Sequence, residues 1–167
     1  MKLLENLNRA QPDKPEFAAW VAKLETICQK TEDFLEKQRA SWNRKLDPLY
    51  NKLKQDPDSL LELQATVLSY RQMITEEIAM FMNKLSRDIV LIKNAKADRY
   101  MFYATGFGLK TNLQEKKLLI DSELAELEHK KEILETHLEF LKEAKVMCDN
   151  LGWAVKNRIE IYNLVSN

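Results

Sequence analysis

The chain has 167 residues, with 26 basic side chains balanced by 26 acidic ones, and only three glycines and four prolines. Such a composition, dominated by Ala, Glu, Lys, Leu and Arg, is that of long helices and coiled coils rather than of a sheet protein. The neutral total argues against a general nucleic-acid coat, and no apolar run approaches the roughly 18 residues of a membrane span.

With no signal-peptide apolar region at its start, the sequence reads as soluble and intracellular, one domain or one domain with an arm. Residues 1–14 form a loose lead-in that ends at Pro15, where proline suits the first helical turn. Phe17, Trp20, Val21, Leu24, Ile27, Cys28, Phe34 and Leu35 then follow helical spacing, extended by Trp42, Leu46 and Leu49. Asp47-Pro48 kinks this helix or restarts it as a short turn near Lys54. Gln55-Asp56-Pro57-Asp58 is a firm break.

Ser59 and Glu62 have the spacing of a capping box, which places a helix start there. The ladder Leu60, Leu63, Val67, Tyr70, Ile74, Ile78, Phe81, Leu85, Ile89, Ile92 advances by threes and fours, the period of one helix face. Met73, Met80 and Met82 widen the apolar surface into something a partner could cover. Gly106-Phe107-Gly108 ends the helix, and Thr111 with Gln114 reads as the capping box of the next.

In the last helix Leu113, Ile120, Leu127, Leu134, Leu141 and Cys148 lie seven apart, while the companion position alternates Lys117, Leu124, Lys131, Leu138, Lys145. A two-stranded zipper tolerates such lysines poorly, so a helix packed on its predecessor with lysine stems at the edge fits better. Gly152 is a candidate bend or break, and Trp153, set among apolar neighbours, reads as core. Two helices this long cannot bury all their apolar surface in a monomer. The fold reads as all-α: a long antiparallel, coiled-coil-like helical hairpin over 59–167, with an N-terminal helical arm over 1–58, assembled as a homo-oligomer.

Chemistry is sparse. Cys28 and Cys148 show no metal or redox spacing and read as small buried hydrophobes. Glu126 and His129 form half of a di-iron helix motif without its second half, no phosphate loop is present, and no nucleophile has an evident base. The reading is a non-enzyme with no cofactor and no metal.

The stretch Lys93–Lys117 gathers what remains. Seven basic and three acidic residues lie between Arg87 and Lys117, and Tyr100, Phe102, Tyr103 and Phe107 stand among them. The segments on either side, 55–86 and 118–145, are acidic. Cations beside aromatic rings are the ingredients of a single-stranded nucleic-acid site, where charges follow phosphates and rings stack on bases. A helical joint with inward aromatics and solvated lysines accounts for the same residues.

The order long helix, basic-aromatic segment, Gly-x-Gly, acidic helix, Cys-containing apolar tail resembles the UvsY-type recombination mediators of bacteriophages. Their motif, K-A-R-x-x-Y-Y-x-G, is matched by Arg99, Phe102 and Tyr103, with Gly106 and Gly108 following after one extra residue. Its lysine is displaced, Ala97 standing at that position and Lys96 one residue early. The likeness covers about residues 60–165 and is diffuse outside the joint. It implies a mediator that binds single-stranded DNA, displaces the single-strand binding protein and loads a recombinase, in the cytoplasm of an infected bacterium. On that footing Lys96 and Arg99 meet phosphates with Lys93 and Lys110 assisting, and Phe102 and Tyr103 stack on bases or shape the joint. The rival reading is a helical adaptor or inhibitor acting through protein contacts alone.

Overall fold

Proline marks where the helices begin. The computed structural model describes residues 15–53, 57–105 and 112–165. Helix α1, Pro15–Leu46, starts on Pro15; a turn at Asp47-Pro48 follows, and Leu49–Lys52 forms the short α2. Helix α3, Pro57–Thr105, runs for 49 residues. It starts two residues before the expected Ser59 cap, because proline is well suited to a first helical position. Two further helices, α4 (Leu113–Glu123) and α5 (Ala125–Val165), complete a fold with no strand among the described residues. The lead-in 1–14, Gln55-Asp56 and the Gly106-Phe107-Gly108 turn lie outside the described residues. No helix among them is long and apolar enough to cross a membrane.

Two compact units divide the chain, one taking the residues up to Asp33 with Asn83–Glu135, the other Phe34–Met82 with the residues from Thr136. Each of α1, α3 and α5 contributes to both. The helix read from sequence as an arm thus places core residues in each unit.

In the first unit Trp20 and Leu24 of α1 pack with Ile92, Ala95 and Tyr103 of α3, Ile120 of α4, and Leu124 and Leu127. The Cys28 thiol donates to the Glu126 carbonyl at 3.2 Å, and burial raises its pKa. In the second unit Trp42 meets Tyr70 edge-on at 5.8 Å, and its indole N–H donates to Glu77 at 3.0 Å. Phe81 and His137 meet edge-on at 4.7 Å, both fully buried. Cys148 is buried as well, so both cysteines sit as small apolar side chains.

Two expectations about the last helix are overturned. Gly152 does not break it, since α5 continues to Val165. A glycine inside a helix costs only about 1 kcal/mol, and the buried Cys148, Leu151 and Val155 around it more than offset that. A Cβ at Gly152 would meet only Val67 Cγ1, at 3.8 Å, an ordinary contact. Gly152→Ala is therefore expected to raise stability by about 0.5–1 kcal/mol in urea melts.

Trp153 is 70% exposed rather than core. The buried positions 148, 151 and 155 define the inner face, and a residue two beyond Leu151 lies about 200° around the helix. Leu113, first of the heptad series, is also exposed, whereas Ile120, Leu127, Leu134, Leu141 and Cys148 are buried.

The interruption falls at Leu124 instead, where φ is −102° and ψ is 8°. Its carbonyl accepts from both Leu127 and Glu128, a tightened turn that restarts the helix without proline or glycine. The residue before it, Glu123, sends its carboxylate into the interior.

Candidate nucleic-acid interface

The apolar ladder of α3 does not stop at Ile92. Its next steps of three and four are Ala95, Arg99 and Tyr103, and all three are buried. Arg99, expected at a phosphate, has its side chain 1% exposed and paired at 2.7 Å with Glu123, itself 8% exposed. The Tyr103 hydroxyl donates to the other oxygen of the same carboxylate. Burial, and then the neighbouring Glu123, push the Tyr103 pKa up to about 12. The guanidinium also lies over the rings of Phe102, at 4.8 Å, and Tyr103, at 5.6 Å. Arg99, Phe102, Tyr103 and Glu123 are one network, packed between α3 and α4, with Phe102 only partly covered.

Lys96, one helical turn before, faces outward but is engaged. Its ammonium lies 3.0 Å from Asp121 and 2.9 Å from Glu128. These bonds, that to Glu128 foremost, raise the lysine's pKa, and the same contact lowers that of Glu128. Lys93 is exposed and lines a cleft with Ile89, Ile92, Lys96, Glu128 and Lys131. Lys110 and Phe107 lie outside the described residues.

A second cleft, of about 410 Å³, is bounded by Lys96, Ala97, Tyr100, Lys117, Ile120 and Asp121. Tyr100 is 41% exposed there. Lys117 is exposed on the first turns of α4. That helix is held by a capping box one residue beyond the expected pair. Asn112 accepts from the Glu115 N–H at 2.8 Å, and Glu115 accepts from the Asn112 N–H at 3.1 Å. Asn ranks at or above Thr as an N-cap, which accounts for the shift. Thr111 lies outside the described residues.

The fold thus separates the basic-aromatic segment into two sets. Arg99 and Tyr103 turn inward onto Glu123, while Tyr100, Lys117 and Lys93 face solvent, with Lys96 bridging carboxylates at the rim. The signal for the first set was the ladder carried past Ile92; for the second, Tyr100 stands one residue from Arg99 and so about 100° off that stripe. Glu126 and His129 remain two surface-facing residues, and among the described residues no cluster of His, Cys, Asp or Glu could hold a metal. The chain matches no family model, no curated protein and no solved structure.

Proposed function

We propose that this chain is a non-enzymatic recombination mediator that binds single-stranded DNA at the end of α3 and the start of α4. There it helps a recombinase replace the single-strand binding protein. The observation that carries the reading is the cleft between α3 and α4, where the exposed ring of Tyr100 stands beside Lys117 and Lys96. A ring of this kind offers a face to any base, and the lysines offer charge to the adjoining phosphates. In this arrangement Tyr100 is the stacking ring, Lys117 and Lys93 meet phosphates, and Arg99 with Tyr103 shapes the joint from within. Several such joints in an oligomer would add through effective concentration. The resemblance to phage mediators supplies the biological setting.

The test is fluorescence anisotropy of a labelled single-stranded oligonucleotide across a salt series, with duplex as control. Tyr100→Ala is expected to weaken binding by about 1–3 kcal/mol, the usual worth of base–aromatic stacking. Lys117→Ala is expected to flatten the slope of log K against log salt by about 0.7, one phosphate contact on a single strand. Both variants should keep wild-type helicity, since both side chains are exposed. Absence of binding at low salt would sink the reading.

A second reading, an adaptor working through protein contacts alone, draws on the exposed Met73 and Met80 of α3. Unbranched, polarizable methionines adapt to varied partners. It would take the place of the first if the oligonucleotide fails to bind.

A further inference from the structure

The outer flank of α5 in the second unit carries both a knob and a hole. Trp153 stands 70% exposed. Directly before it, Gly152 leaves a notch of about 260 Å³ against α3, whose walls include Val67, Leu68, Cys148 and Trp153 itself. Leu68, on the α3 side, is 55% exposed. A cavity of about 150 Å³ is enough for a benzene ring, so at about 260 Å³ the notch has volume for a larger aromatic ring system.

Charge along the same flank has a centre of symmetry. Lys145, Asp149, Gly152-Trp153, Lys156 and Glu160 succeed one another at helical steps of three and four. Reading outward from the Gly152-Trp153 junction, Asp149 on one side answers Lys156 on the other, and Lys145 answers Glu160. A face whose charges reverse about its own midpoint is complementary to itself turned end for end.

We infer that a second copy of this chain docks here, in a two-fold, end-for-end pairing of α5 helices. Trp153 of each copy enters the notch that Gly152 leaves in the other. Asp149 then lies opposite the second copy's Lys156, and Lys145 opposite its Glu160, each pair occurring twice. An interface of this isologous kind uses one patch on both subunits and closes at two copies. The tryptophans are its anchors, and the charges at its rim fix the antiparallel register. Asp149 and Lys156 already have exposed partners within the chain, Arg71 and Glu160; the pairing extends these into networks across the interface. The inference is independent of the nucleic-acid reading, which concerns the other unit.

Sedimentation equilibrium of the full-length chain over a concentration series, without DNA, tests it. The wild type is expected to show a reversible association whose first step is a dimer. Trp153→Lys should weaken that step by more than about tenfold, as loss of a central tryptophan does. Lys145→Glu and Glu160→Lys should each weaken it, and the double variant Lys145→Glu/Glu160→Lys should restore it, since the swap renews the symmetry. Circular dichroism of each variant checks that the helices persist. A wild type that stays monomeric throughout overturns the inference. So does an association indifferent to Trp153→Lys, or a double charge swap no stronger than the singles with helicity intact.

Discussion

Replacing Glu123 with alanine is expected to cost about 3–5 kcal/mol of folding stability. The carboxylate is nearly inaccessible and takes both the Arg99 guanidinium at 2.7 Å and the Tyr103 hydroxyl. Removing it takes from the buried guanidinium the carboxylate that pairs with it, so much of the desolvation penalty of that charge is no longer offset. Glu123→Gln should fall between, keeping an acceptor for Tyr103 while losing the charge. The double variant Arg99→Met/Glu123→Leu should recover part of the loss, because an apolar pair is often as stable as the ion pair it replaces, while the Tyr103 hydroxyl still loses Glu123 as its acceptor. Urea melts followed by helicity give the energies, and hydrogen exchange should place the loosening at residues 95–105 and 113–127. If Glu123→Ala costs less than about 1 kcal/mol, the network is not a determinant of the joint. The same logic bears on function. An Arg99 variant that loses DNA binding together with helicity has lost the scaffold, whereas Tyr100 and Lys117 variants report on the surface.

Acid is expected to destabilise the second unit through His137. The imidazole is fully buried, edge-on to Phe81 at 4.7 Å and stacked with Phe140 at 6.2 Å. Burial, assisted by the positive charge of Arg39, pulls its pKa down from 6.5 to about 4. The folded state therefore holds a neutral ring at a pH where the unfolded chain has taken up a proton. A depressed folded pKa means the contribution is whole above pH 6.5 and is lost as the pH falls through 4. The loss amounts to about 3 kcal/mol at most. His137→Phe keeps an aromatic ring between its neighbours and should abolish that part of the pH dependence. It should match or exceed wild-type stability at pH 5, where the native protein is already weakened. Melts of both proteins between pH 4 and 7 measure it; parallel curves would show that His137 is not the group responsible.

Reading the fold from sequence worked where the signals were local or periodic. Pro15 marks a helix start and Pro48 a turn, whereas Pro57, read as part of a break, opens α3; the steps of three and four from Leu60 to Ile92 mark a buried face, though Ile89 stands partly outside it. The joint was harder because residue type and position disagreed there. An arginine and a tyrosine suggest solvent and ligand, yet they occupy the next steps of an apolar ladder, and position prevailed once Glu123 could meet them. That meeting was not legible, since Glu123 lies 24 residues beyond Arg99 and nothing local marks it. The interruption at Leu124 carries no proline or glycine and is likewise invisible to sequence rules. Trp153 differs for another reason: its apolar neighbours in sequence suggest the core, while its phase relative to Cys148, Leu151 and Val155 puts it outside.

Lys96 holds one carboxylate on either side of the Leu124 interruption, Asp121 in α4 and Glu128 in α5. A phosphate that captures this lysine must therefore displace two anions, each of which then repels the newcomer. A mononucleotide bringing a single phosphate has little with which to win that exchange. If single-stranded DNA binds here as proposed, neighbouring phosphates on Lys117 and Lys93 would hold the polymer nearby while the exchange occurs, and the carboxylates would act as a filter for length. Discrimination against short fragments would then reside in the acidic partners of Lys96, and Asp121→Asn with Glu128→Gln is expected to narrow the affinity gap between short and long oligonucleotides in the same anisotropy assay.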